Sequence, residues 1–127
     1  MAVRTVRLLD NRQFVTRGVA ELHPGGAQFL VSMDLDEVDA IAVDLADWLN
    51  EGEELLESTL TLQSGVSIEL EDTPTGTTMT VSAGSGGGGE ATLKLTTDAG
   101  RVKVLRFRFE APECVARLTQ PWDAWGP

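Results

Sequence analysis

From Leu60 to Phe109 the chain repeats one pattern: a short run of alternating apolar and polar residues, then a turn signal, every eight to twelve residues. Leu60 and Leu62 alternate with Thr59 and Thr61 before Gln63-Ser-Gly65. Val66, Ile68 and Leu70 alternate with Ser67 and Glu69 before Asp72-Thr-Pro-Thr-Gly76. Met79 and Val81 precede the Gly84–Gly89 loop, and Leu93 and Leu95 precede Asp98-Ala-Gly100. Side chains repeat with period two along a strand, so these runs predict half-buried strands. In the last run Val102 and Val104 share one parity, while Leu105, Phe107 and Phe109 share the other; this phase change predicts a β-bulge near Val104-Leu105. Short strands at this spacing imply an all-β chain, an antiparallel β-sandwich. With 127 residues it has the length of one domain with its own core.

The first half is less uniform. Phe14, Thr16, Gly18, Ala20 and Leu22 alternate with Val15, Arg17, Val19 and Glu21 as in a strand, and His23-Pro-Gly-Gly26 is a turn signal before the apolar run Ala27–Met33. A hairpin alone is marginal in water, so residues 1–32 either join the sandwich or extend as an arm onto a neighbour. Residues 34–49 support two readings. Leu35, Val38, Ala42, Leu45 and Leu49 recur at helical spacing, with Asp34 and Glu37 placed as a capping box. Alternatively Ile41, Val43 and Leu45 alternate as a strand ended by a tight Asp47-Trp48-Leu49 turn. The expected organisation is an N-terminal arm or hairpin over 1–32, a sandwich over 33–112 and a tail over 113–127. In the tail, Trp122 and Trp125 lie beside Pro121 and Pro127, as a docking peptide or a Trp-anchored segment folded onto its own domain.

Charge narrows the function classes. All ten basic residues lie in the first 17 positions or from Lys94 onward, while ten carboxylates crowd between Asp34 and Glu57. The basic strand Arg101–Arg108 can pair with acidic strands or present a separate face, either as solvated surface or as a device steering association with a larger partner. A net charge of −10, with no basic patch interleaved with aromatics, disfavours free nucleic acid as a partner. No apolar run approaches the roughly 18–20 residues of a membrane-spanning helix, so no membrane partner is expected. The N-terminus lacks a signal-peptide core, and single Cys114 offers no disulfide framework; synthesis in a reducing cytoplasm is expected.

Catalytic chemistry finds little to work with. His23 is the one histidine and sits in a turn; Cys114 has no partner of the kind that activates a thiol. Gly84-Ser-Gly-Gly-Gly-Gly89 satisfies G-x-G-x-x-G, but it leads into another strand and not into a helix N-terminus, so it reads as a flexible hairpin loop. The acids Asp34, Asp36, Glu37 and Asp39 lack the glycine and spacing of a calcium loop, and ligands for zinc are too few. No catalytic, metal-binding or cofactor-binding residue is expected, and no cofactor. A free-standing carbohydrate- or ligand-binding sandwich is the alternative class; it would need an exposed aromatic platform, and the chain has no tyrosine.

One resemblance is carried by specific residues. A family of small tailed-phage proteins, described as phage fibre–tail adaptor proteins, opens with Asp-Pro-Asp-Glu-Val-Leu-Asp-Tyr and continues to Asp-Trp-x-x-Trp-Leu. Asp34-Leu-Asp-Glu-Val-Asp39 and Asp44-Leu-Ala-Asp-Trp-Leu49 are similar to these, with Leu45 in place of the first Trp. Gly52-Glu-Glu-Leu55 and Ser58-Thr-Leu-Thr-Leu62 correspond to its Gly-Asp-x-Ile and Ser-x-Trp-x-Val elements. Gly84–Gly89 and Thr96-Thr-Asp-Ala-Gly-Arg101 correspond to its Gly-Gly loop and Thr-Thr-x-x-Gly-Arg turn, and Val104–Phe109 to its final strand. The likeness spans about residues 33–110. It implies an immunoglobulin-like β-sandwich and favours the strand reading of residues 38–45. It further implies a non-enzymatic structural protein of the virion, made in the bacterial host cytoplasm. Two placements compete: a capsid decoration protein, suggested by the compact domain, the acidic surface and the flanking arms, and an adaptor at the neck, tail or fibre junction, suggested by the family; in either the protein is expected to be homo-oligomeric in the particle and bound to other phage structural proteins. The residues expected to meet those partners are Arg4, Arg7, Arg101, Lys103, Arg106, Arg108, Trp122 and Trp125.

Overall fold

The computed structural model describes residues 4–10, 12–22, 26–34, 37–83 and 88–110. Ten strands and no helix lie among them: β1 (Arg4–Leu8), β2 (Phe14–Arg17), β3 (Ala20–Glu21), β4 (Gln28–Ser32), β5 (Val38–Asp44), β6 (Leu55–Ser64), β7 (Val66–Thr73), β8 (Gly76–Ala83), β9 (Gly88–Thr97) and β10 (Val102–Glu110). They form two five-stranded sheets, β2-β1-β5-β8-β7 and β3-β4-β10-β9-β6, packed as a sandwich. The all-β sandwich expected from alternation is thus present. Both sheets are mixed, because β1 runs parallel to β5 and β4 runs parallel to β10. The other pairings are antiparallel.

Those two parallel pairs come from the first 32 residues. Of the two readings left open for this segment, its described strands join the sheets: β1 lies between β2 and β5, and β4 lies between β3 and β10. The run from Phe14 to Leu22 is two strands, because Gly18 adopts φ 71° and the chain passes there from the first sheet to the second. A side chain at that φ is strained, so glycine suits the crossing. Residues 23–25 of the anticipated turn lie outside the described residues, but Leu22 N–H donates to the Gln28 carbonyl at 2.9 Å and closes the β3–β4 hairpin. Gly65 likewise joins two sheets, since β6 and β7 do not pair with each other.

Between Val38 and Asp44 the strand reading holds. The capping-box bond forms, with Asp34 N–H donating to Glu37 Oε1 at 2.8 Å, but the chain then enters β5. Tertiary burial explains the outcome: Ile41, Val43 and Leu45 fill the interface between sheets, which a helix could not present to β1 and β8. After β5 a single turn forms, with Trp48 and Leu49 N–H groups both donating to the Leu45 carbonyl at 2.9 Å.

The core runs along the facing parities of both sheets. Val6, Leu8, Ile41, Val43, Met79 and Val81 meet Phe29, Val31, Leu93, Leu95, Leu105, Phe107 and Phe109, all at most 2% exposed. Phe14, Phe29, Phe107 and Phe109 form a chain of ring contacts with centroids 5.3–6.4 Å apart. The bulge anticipated at Val104-Leu105 is absent: β10 stays in unbroken register with β9 from Val102 to Glu110. The parity change has another cause, since Val102 and Val104 face outward. Register shifts occur in β6 instead, between Leu55 and Glu57 and between Leu60 and Leu62.

Candidate docking surface

Three of the sequence motifs converge on one polar cluster at an end of the sandwich. The Asp44–Leu49 segment supplies Trp48, the Gly52–Leu55 segment supplies Glu53, and the β9–β10 turn supplies Thr97 and Arg101. The Glu53 carboxylate is buried and accepts from Arg101 Nε at 3.0 Å, Arg101 Nη2 at 2.5 Å, Thr97 Oγ1 at 2.5 Å and the Asn50 N–H at 2.9 Å. Arg101 also donates to the Trp48 carbonyl at 2.8 Å, and its guanidinium lies 4.0 Å from the Trp48 ring centroid. The Arg101 bonds, then Thr97 and Asn50, outweigh burial and hold the Glu53 carboxyl down at about 2. Glu53 in turn raises the Arg101 pKa. The Arg101 and Thr97 donors bind the β5–β6 loop to the β9–β10 turn, and the Asn50 N–H closes the loop on itself.

The other expected partner-binding cations are distributed unevenly. Arg4 donates to Asp39 at 2.8 Å and lies 3.6 Å from Glu37. Burial pushes the Asp39 carboxyl up, but the Arg4 and Ala40 N–H bonds and the Arg4 charge together hold it below its ordinary range. Two members of the acidic quartet therefore answer a cation on β1. Asp36 lies outside the described residues, among which no metal-binding group of three ligands occurs. Arg7 donates to Asp47 at 2.6 Å. Lys103 points to the core side, 5.3 Å from the Phe14 centroid, and burial lowers its pKa. Trp122 and Trp125 lie outside the described residues.

Arg106 and Arg108 project from the outer face of the second sheet, and both are exposed. The register places them in two rows across five strands. One row is Leu22, Gln28, Arg106, Thr92 and Leu62; the other is Ala20, Leu30, Arg108, Glu90 and Ser64. Arg108 pairs with Glu110 at 3.1 Å, whereas Arg106 makes no side-chain hydrogen bond or ion pair with a described residue. Val104 and Lys94 continue the face along β10 and β9.

The bulge in β6 decides the character of this surface. Leu60 and Leu62 have the same parity, so a regular strand would turn both inward. Instead Leu60 opposes Leu93, a core residue, while Leu62 opposes Thr92 on the outer face. Leu62 is 47% exposed and Leu22 is 39% exposed, and they flank a groove of about 270 Å³ that includes Gln28, Thr92, Arg106 and Arg108. Sequence reasoning found the arginines and missed the leucines. Alternation cannot reveal a bulge, although the outward parity of Val102 and Val104 was legible beside Leu105 and Phe107. The face offers apolar contact, two guanidiniums and backbone edges, which suits binding a macromolecular surface or segment.

Comparison with family models places this arrangement. Residues 33–110 match the family described as podophage GP4 fiber-tail adaptor protein gp77, and a comparison with curated proteins finds no match. The match covers more than half of the chain and includes Trp48, Glu53, Thr97, Arg101, Arg106 and Arg108. The chain belongs to this family of phage fibre–tail adaptor proteins.

Proposed function

We propose that this protein is a non-enzymatic adaptor of a tailed-phage virion, an immunoglobulin-like module that docks on other structural proteins through the outer face of its second sheet and through its tail. Family membership over residues 33–110 carries the reading, and it favours the fibre–tail junction over capsid decoration. The outer face supports it independently. Leu22, Leu62, Val102 and Val104 give apolar area, and Arg106 and Arg108 give charge suited to the acidic surface of a neighbour. The Glu53–Arg101 cluster keeps the loops at that end of the sandwich fixed, so that the module docks as a rigid body. Arg4, Arg7, Arg101 and Lys103 then act chiefly inside the domain, and homo-oligomeric copies follow the symmetry of the assembly.

Phage particles assembled with the Leu62→Glu/Arg106→Glu chain test the face. Both residues are exposed, so the domain folds while its incorporation into purified particles is lost; undiminished incorporation refutes docking by this face. Copy number tests the location. About a dozen copies or fewer per particle fit a junction with the symmetry of a tail, and hundreds would overturn it in favour of decoration.

A further inference from the structure

The two edges of the first sheet, β2 and β7, carry opposite charge. One row of the register crosses its outer face as Arg17, Thr5, Ala42, Thr78 and Glu71, and Glu69 shares the outward parity of β7. Arg17, Glu69 and Glu71 are exposed, and none makes an ion pair with a described residue. Four strand spacings of about 4.8 Å put Arg17 roughly 19 Å from Glu71. That is more than twice the Debye length of about 8 Å in physiological salt, so the two edges do not neutralise each other within one chain. On the core side, Phe14 of β2 and Ile68 and Leu70 of β7 are only partly buried. The edges of the second sheet are blunted, since β3 has two residues and β6 has two register shifts. β7 instead keeps eight residues in unbroken register with β8, with no proline or lysine among them. Such an edge is a template for another strand.

We propose that β2 of one copy adds to β7 of the next, so that the first sheet continues head to tail between copies of this chain. Chain direction permits it. β2 runs opposite to β1, β1 runs with β5, β5 runs opposite to β8, and β8 runs opposite to β7. β2 and β7 therefore run opposite ways, and a neighbour in the same orientation pairs antiparallel with its core side still inward. Arg17 then lies opposite or diagonal to Glu69 and Glu71, with Cβ atoms about 4.5–8 Å apart, while Phe14 and Thr16 come alongside Ile68 and Leu70. A second β7 is a poorer occupant, because a two-fold would set Glu69 and Glu71 against the same carboxylates. The contact is heterologous, so it repeats around a ring when its rotation closes. It rests on the adaptor reading for several copies sharing one assembly, but it uses the first sheet and not the Leu62–Arg106 face, so the two fail separately.

Sedimentation velocity and amide NMR of the full chain, diluted from about 1 mM to about 20 μM, test it across the range of weak contacts. The chain should associate at the upper end, and the amide signals of residues 14–17 and 66–73 should move together on dilution. Arg17→Glu and Glu69→Arg/Glu71→Arg change only exposed side chains, and far-UV circular dichroism should match the parent in both. Each variant alone should stay monomeric. An equimolar mixture of the two should associate again, because every junction then joins opposite charges. Leu62→Glu/Arg106→Glu should associate as the parent does. A parent chain that is monomeric at about 1 mM overturns the proposal, as does movement confined to β7. Association that survives either edge variant, or a mixture that stays monomeric, overturns it too.

Discussion

Replacing Leu60 and Leu62 separately by serine measures whether β6 is bulged, because the two leucines are equivalent in sequence and opposite in structure. Leu60 is packed against the core and opposes Leu93. Complete burial of a leucine is worth about 1.5–3 kcal/mol, and Leu60 is partly buried, so its loss should cost about 1–2 kcal/mol. Leu62 is 47% exposed on the far face, and its replacement should fall within about 0.5 kcal/mol. With a urea slope of about 1.5 kcal/mol/M for a domain of this size, Leu60→Ser should lower the unfolding midpoint by about 1 M and Leu62→Ser by no more than about 0.3 M. Equilibrium urea unfolding followed by far-UV circular dichroism reads both. Equal losses would mean that both leucines face the core. In that case the strand is regular, and both the groove and the docking face built on it fall.

Two further outcomes test other parts of the fold. The Glu53 carboxyl, held down at about 2 from an ordinary 4.5, should titrate near 2 in carboxyl-detected NMR of the folded protein. Its folded pKa lies below the unfolded one, so the stability it adds is present above pH of about 4.5 and fades as pH falls toward 2. Glu53→Gln should therefore lower the melting temperature at neutral pH and flatten its acid dependence, whereas the exposed neighbour change Glu54→Gln should do neither. A Glu53 midpoint near 4.5 would contradict the cluster. Gly76→Ala should sharply destabilise the domain or prevent folding, because a Cβ there would lie 2.1 Å from the Val43 carbonyl oxygen where β5 pairs with β8. An unchanged melting curve would refute that close approach.

The family resemblance was legible because its motifs are local strings, but their meaning was not. Trp48, Glu53 and Thr97-Arg101 stand in separate segments, and nothing in any one of them announces a shared carboxylate. Arg101 read as a surface cation of a basic strand. In the fold it is bound to Glu53 and stacked on Trp48, while Arg106 and Arg108, on the outward parity of the same strand, stay exposed.

Period-two alternation in the sequence by itself determined that residues 60–109 form strands, which parity of Leu105, Phe107 and Phe109 is buried, and where most turns fall, since these depend on neighbours a few residues apart. Tertiary structure alone decided that β1 and β4 run parallel to β5 and β10 and that Leu62 faces out, and it settled residues 38–44 as strand where alternation and helical spacing competed. Each of those outcomes depends on which strand lies alongside and on the register in which it pairs. That information is shared between distant segments and is set only when the two sheets close over a common core.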